Sequence, residues 1–349
     1  MADSLAAELP LSGPMIEDQT AAAEPERAGI NLKKRVLNPK TILSFVVAIL
    51  LLYTVFKKLG DFSAAAQAIK GVSLGLYALA FVAYAMTFPM RGLRWHRLLH
   101  NVGEDKPVGE MTEYVFLSWF VNCLVPAKIG DVYRGYLVKK NNGVSMSKSM
   151  GTVFAERIID TLVIFFTFGV TGLFVFNDSI PPQIRIYIAA GIVLAVVCAA
   201  VLLFMRHFGE AVFARFASEK VQGIYKKFEE GTLGSFKALH IVIFFTMAAW
   251  LFEALRLFTV AHALGAGNPS LAHLSFQTAV FAMVTSSILT LVPTPGGLGA
   301  VEGGLTGVLI LAGLTPGLAL AVVILDRIIS YWALVLTGAI GYFTSKRAR

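Results

Sequence analysis

Long apolar runs separated by short polar and basic segments dominate the chain. Runs at about 40–57, 72–91, 151–176, 184–205, 239–262 and 316–343 approach or exceed the ~20 residues with which a helix crosses a bilayer. None shows the period-two alternation of a barrel strand. Lipid offers no partners for open backbone, so these runs predict spanning α-helices. Two further apolar stretches, 111–138 and 275–314, are each broken in the middle by proline and glycine. The breaks read Val125-Pro126-Ala127-Lys128-Ile129-Gly130-Asp131 and Val292-Pro293-Thr294-Pro295-Gly296-Gly297-Leu298-Gly299. Proline lacks an N–H and glycine tolerates open backbone, so the chain can reverse at each break. Each stretch reads as a re-entrant helical hairpin; two tilted spans would also return the chain to the same side. Asp131, Arg134 and short apolar arms favour re-entry for the first. The expected fold is all-α integral membrane, with six spanning helices plus two re-entrant helical hairpins in an inverted repeat.

Composition agrees with this pattern. The 349 residues are 56% hydrophobic and 15% charged, with mean hydropathy +0.69. Soluble domains hold about 25% charged residues. The net charge of +8 would suggest nucleic acid in a soluble protein, but here it reads as basic cytoplasmic loops, and no nucleic-acid partner is expected. With the N-terminus placed in the cytoplasm, most Lys and Arg fall on that side. Lys57, Lys58, Lys70 and Arg185 fall outside. Both termini are therefore expected in the cytoplasm. Residues 1–30, acidic and Ala-rich, read as a disordered tail without a cleavable signal. Residues 31–343 read as one transmembrane domain and 344–349 as a basic cytoplasmic tail. The segment 206–238 mixes Phe208, Val212, Phe213 and Phe216 with basic residues. It reads as an interfacial amphipathic helix or as a linker packed on the bundle.

The chain also repeats itself. Arg94, His100 and Gly103 have the spacing of Arg256, His262 and Gly265. Leu124-Val125-Pro126 with Gly130 matches Leu291-Val292-Pro293 with Gly297, and Glu156-Arg157-Ile158-Ile159 matches Asp326-Arg327-Ile328-Ile329. The matches occur in the same order, giving halves at about 72–176 and 239–343. An odd number of crossings between them inverts one half relative to the other. Inverted repeats with interrupted helices are a transporter architecture with its site near the midplane.

Charged residues remain inside the apolar segments: Lys128, Arg134, Arg157, Arg256 and Arg327, against Asp131, Glu156, Asp160, Glu253, Glu302 and Asp326. Each costs on the order of 2.5–3.5 kcal/mol at a helix centre, so they should face the interior, paired or lining a wet cavity. Glu156 and Asp160 share a helix face. Glu253 and Arg256 are spaced to pair. Arg134 and Glu302 follow the two breaks at nearly matching positions and would meet if the hairpins touch tip to tip. The glycine turn containing Gly296 and Gly297 could offer N–H groups to an anion. The same charges could equally be ion pairs that fix helix packing. Arg91, Arg94 and Arg97 read as snorkelling residues at a helix end. His96 and His100 lack a third ligand nearby, so no metal is expected, nor any other cofactor. No nucleotide-binding or hydrolase motif occurs, so catalysis is not the expected activity.

The segments Pro126-Ala127-Lys128-Ile129-Gly130-Asp131-Val132-Tyr133-Arg134, Glu156-Arg157-Ile158-Ile159-Asp160 and Val292 to Gly303 carry a resemblance. Over about residues 40–343 the chain resembles the flippase-like membrane domain of bacterial lysylphosphatidylglycerol synthases, including stand-alone members. The resemblance implies a bacterial inner-membrane protein that moves a modified lipid between leaflets. Some stand-alone relatives are associated with hopanoid or glycolipid export. No aminoacyl-transferase sequence follows, so the synthase activity is not carried over. Three functions stay open: a lipid flippase or transporter, a membrane-embedded lipid-modifying enzyme using Glu156 and Asp160, and a partner subunit of a separate lipid synthase or glycosyltransferase.

Overall fold

The structure, a computed structural model, describes residues 38–59, 61–126, 128–176 and 182–348. These residues are helical, with no strand among them. In chain order the helices are α1 (Pro39–Leu59), α2 (Phe62–Lys70), α3 (Leu74–Asn101), α4 (Val108–Leu124), α5 (Ile129–Asn142), α6 (Met146–Phe176) and α7 (Pro182–Phe204). A π-helical segment, Met205–Gly209, continues α7 into α8 (Glu210–Phe216). Then come α9 (Glu219–Gly234), α10 (Leu239–Gly265), α11 (Phe276–Leu289), α12 (Ala300–Leu311) and α13 (Pro316–Arg327). A second π-helical segment, Ile328–Ala333, carries α13 into α14 (Leu334–Thr344). The tail read over residues 1–30 and most of the turn before α7 lie outside the described residues.

Among the described residues, five helices are long and apolar enough to cross a membrane: Leu74–Asn101, Met146–Phe176, Ile184–Phe216, Leu239–Gly265 and Pro316–Thr344. They correspond to five of the six spans expected from the sequence. The sixth forms a helix, α1, whose described residues give a shorter apolar helix, Thr41–Val55. Helix α3 runs ten residues beyond its expected end at 91, with Pro89 inside it and its last residue, Asn101, bonded to the carbonyls of Ser235 and Lys237.

Both broken stretches form packed helical pairs, α4 with α5 and α11 with α12. At 17, 14, 14 and 12 residues the arms reach about 18–25 Å, less than the ~30 Å of a hydrocarbon core. In the first pair, Val125 leaves α4 extended and Lys128 adopts left-handed backbone (φ 53°) before α5. The arms then close tightly at Gly130, where a Cβ would fall 1.9 Å from the Ser118 carbonyl oxygen. In the second pair, Gly296, Gly297 and Gly299 all take positive φ. Glu302 then caps α12 by accepting the Gly299 N–H at 2.6 Å.

Helices α3 and α10 run antiparallel along each other. The Ser73 N–H, at the start of α3, donates to the Ala263 carbonyl near the end of α10 at 2.8 Å. At the opposite end, Asn101 Nδ2 donates to the carbonyls of Ser235 and Lys237 at 3.1 and 2.5 Å. The first hairpin follows the C-terminus of α3 and the second follows that of α10, so they start from opposite ends of this pair. Their breaks meet: a Cβ on Gly296 would lie 3.5 Å from Cys123 Cα, and Tyr331 Oη donates to the Cys123 carbonyl at 3.0 Å. Helix α1 packs over the second hairpin. In the segment 206–238, α8 extends α7, while α9 packs on α6. Phe208, Phe216, Val221 and Ile224 stay exposed along it.

Candidate functional site

The apolar bundle encloses a network of ion pairs supplied by α3, α5, α6, α10, α12 and α13. Helical spacing assembles it locally. Glu156 and Arg157 lie on one turn of α6 and Asp160 on the next, with Glu156 and Asp160 buried and Arg157 at their edge. Arg134 on α5 forks onto Glu156 through two 3.0 Å hydrogen bonds and lies 3.7 Å from Asp131. The bidentate fit of a guanidinium to a carboxylate is the strong form of this pairing. Arg94 on α3 reaches Glu156 at 2.9 Å and Asp160 at 2.6 Å. Arg157 holds Glu156 at 2.7 Å and Asp131 at 3.3 Å, and its side chain is 30% exposed.

A second group lies on the other half. Arg256 binds Glu253 at 2.5 Å and Asp326 at 2.8 Å. Arg91 joins Glu253 at 3.0 Å, with its guanidinium 3.9 Å from the Trp119 ring centroid and 5.4 Å from that of Trp250. Trp250 links the groups by donating its indole N–H to Asp160 at 3.3 Å. Arg327 binds Glu302 at 2.7 Å and the Gly296 carbonyl at 3.1 Å. That last bond ties the Asp-Arg segment of α13 directly to the second break.

The two halves use matching pairs. Arg94–Glu156 between α3 and α6 corresponds to Arg256–Asp326 between α10 and α13. Asp131–Arg157, from the second arm of the first hairpin to α6, corresponds to Glu302–Arg327 from the second arm of the second hairpin to α13. Each half therefore ties its hairpin arm to its own Glu/Asp-Arg motif.

This corrects one expectation. The hairpin breaks do meet, but Arg134 and Glu302 do not pair; Glu156 engages the first and Arg327 the second. Each is closer to an opposite charge of its own half. The Glu253–Arg256 pairing and the shared burial of Glu156 and Asp160 hold. Arg91 and Arg94 do not snorkel. They are buried at 5% and 2% exposure, because α3 continues past Pro89 alongside α10. Lys128 is partly buried at the first break, between the arms. Among the described residues its ammonium makes neither a hydrogen bond nor an ion pair. Gly296 and Gly297 form the second break at φ 56° and 72°.

The family described as "Lysylphosphatidylglycerol synthase TM region" matches residues 41–338. A UPF0104 membrane protein of Methanocaldococcus jannaschii is 34% identical over 65% of this chain and 95% of its own length. One from Methanothermobacter thermautotrophicus is 24% identical over 86% of this chain and 92% of its length. A Haloferax volcanii protein named glycosyltransferase AglD is 24% identical over 90% of this chain, which covers 56% of that protein. With a multi-pass helical bundle, two opposed broken hairpins and a match across nearly all of the bundle, the chain belongs to the lysylphosphatidylglycerol synthase TM region family.

Proposed function

We propose that this protein is a lipid flippase or transporter, passing a phospholipid or lipid-linked headgroup between leaflets while the tails stay in the bilayer. The observation that carries this reading is the contact of two short broken hairpins, started from opposite ends of an antiparallel helix pair and ringed by buried ion pairs. In this reading both hairpins are re-entrant and α1 is a sixth span lying against the second one. The halves 72–176 and 239–343 form an inverted repeat. Both termini are cytoplasmic, and the protein resides in the bacterial inner membrane.

A headgroup passing the tips would exchange carboxylate partners of Arg157 and Arg327, which hold the hairpin arms through Asp131 and Glu302. Arg134, Glu156, Asp160, Glu253, Arg256 and Asp326 would keep the two halves in register, while Gly296 and Gly297 let the second tip bend. Buried charge in a membrane costs too much to expect without partners or a polar path. The acid–base role once open to Glu156 and Asp160 is disfavoured, because arginines engage both carboxylates.

Reconstitution in vesicles with fluorescent lipids tests the reading. Chemical quenching of the outer leaflet should reach past half of the label with the protein and stop at half without it. Quenching that stops at half for every phospholipid and glycolipid tried would refute it. A second reading, a membrane partner of a lipid synthase or glycosyltransferase, draws support from the likeness to a protein named as a glycosyltransferase. It expects Arg157→Ala and Glu302→Ala to retain function with a partner co-purifying.

A further inference from the structure

Charge balance within the ion-pair network narrows the headgroup. Six guanidinium groups, from Arg91, Arg94, Arg134, Arg157, Arg256 and Arg327, face six carboxylates, from Asp131, Glu156, Asp160, Glu253, Glu302 and Asp326. Lys128 adds one further cation at the first break. Its carbonyl accepts the Asp131 N–H at 3.1 Å and the Asp131 carboxylate meets Arg157 at 3.3 Å, while the Lys128 ammonium is paired with no carboxylate among the described residues. Arg157 is the most exposed arginine of the network.

The backbone at Lys128 makes the choice of residue more telling. Its φ of 53° and ψ of 38° lie in the left-handed region, where a side chain costs roughly 1–2 kcal/mol and glycine would be relaxed. Among the described residues only Lys128 and Ala238 are non-glycine at positive φ. This strained position carries an unpaired, partly buried ammonium. Such strain concentrates where a ligand or a switch needs it.

We propose that Lys128 and Arg157 form the anion subsite of the translocation path, selecting a phosphodiester headgroup that carries no ammonium of its own and so has a net charge of −1. The proposal rests on the translocation reading for its setting, but the subsite is a binding site in its own right. Arg157 supplies a planar fork for two phosphate oxygens and Lys128 a point charge. A zwitterionic headgroup would bring its own ammonium against Lys128. Free inorganic phosphate offers the same oxygens without the apolar tails that hold a lipid in the bilayer.

Two measurements on the full chain, with wild type, Lys128→Gln and Lys128→Gly, test it. The first is thermal stabilisation in detergent by dihexanoyl-phosphatidylglycerol, dihexanoyl-phosphatidylcholine or inorganic phosphate. The second is leaflet exchange of fluorescent phosphatidylglycerol and phosphatidylcholine in vesicles. Wild type should be stabilised most by the anionic lipid. Both variants should lose that preference, with about tenfold weaker apparent affinity, the equivalent of ~1.4 kcal/mol. Lys128→Gly should unfold at the same or a higher temperature than wild type without ligand, since it removes backbone strain. A purely structural lysine would instead lower that temperature.

Equal stabilisation of wild type and variants by the anionic lipid would overturn the proposal. So would a wild type that responds to inorganic phosphate alone or shows no preference between the lipids. Binding that depends on Lys128 without any leaflet exchange would sustain the subsite and sink the translocation reading. Exchange that is indifferent to Lys128 would do the reverse.

Discussion

At the scale of single residues, the deciding quantity is whether a buried charge has a partner. Arg256 is 5% exposed and neutralises both Glu253 and Asp326. Arg256→Ala should leave two buried carboxylates under-compensated and cost about 3–5 kcal/mol. Thermal unfolding in detergent checks it; a midpoint close to wild type would contradict it. Arg347 also makes two ion pairs, to Glu110 and Glu113, but its side chain is 47% exposed. Arg347→Ala should therefore change stability by no more than ~1 kcal/mol, measured the same way. Most of the buried charges were legible in the sequence because they interrupt apolar runs. Arg91 and Arg94 were not, because they follow the end of such a run and look like a helix terminus. The interior count offered a partial signal: five cations set against six carboxylates leave room for at least one more. Trp250 and Tyr331 carried no such mark. Their roles depend on Asp160 and Cys123, which are far away in sequence.

At the scale of elements, the first hairpin depends on how closely its arms approach. Gly130→Val would drive side-chain atoms into the Ser118 carbonyl, where even a Cβ lies at 1.9 Å. It should open the pair and abolish well-folded, monodisperse protein. Gly109→Ala, on α4 with nothing within 4 Å of the added Cβ, should instead be neutral or stabilise by up to about 1 kcal/mol. Size-exclusion profiles and unfolding midpoints separate the two, and similar behaviour of both variants would contradict the packing described. The hairpins themselves were readable from clustered proline and glycine, since those residues act on backbone locally. The continuation of α3 beyond 91 and the π-helical segments after α7 and α13 were not. They follow from contacts with other helices, which local propensity does not encode.

At the scale of the whole molecule, the antiparallel pair α3 and α10 is followed by two hairpins that start at its opposite ends. Weak repeats in the sequence pair Arg94 with Arg256 and Glu156 with Asp326, and Arg94–Glu156 and Arg256–Asp326 are both ion pairs, which supports the proposed inverted repeat. A disulfide between Ser73→Cys and Ala263→Cys, in a Cys198→Ser background, should form readily under mild oxidation. Asn101→Cys with Ala263→Cys should not, because those positions lie at opposite ends of the pair. The reverse result would contradict the antiparallel packing. The central claim is that lipid headgroups cross where the hairpins meet, and Arg327 ties the second of them to the bundle through Glu302 and Gly296. The most direct measurement is the initial rate of leaflet exchange of fluorescent phosphatidylglycerol in vesicles holding equal amounts of folded wild type or Glu302→Gln. Exchange well above protein-free vesicles, altered severalfold in Glu302→Gln, is the expected result; exchange in wild type no faster than in protein-free vesicles would contradict it.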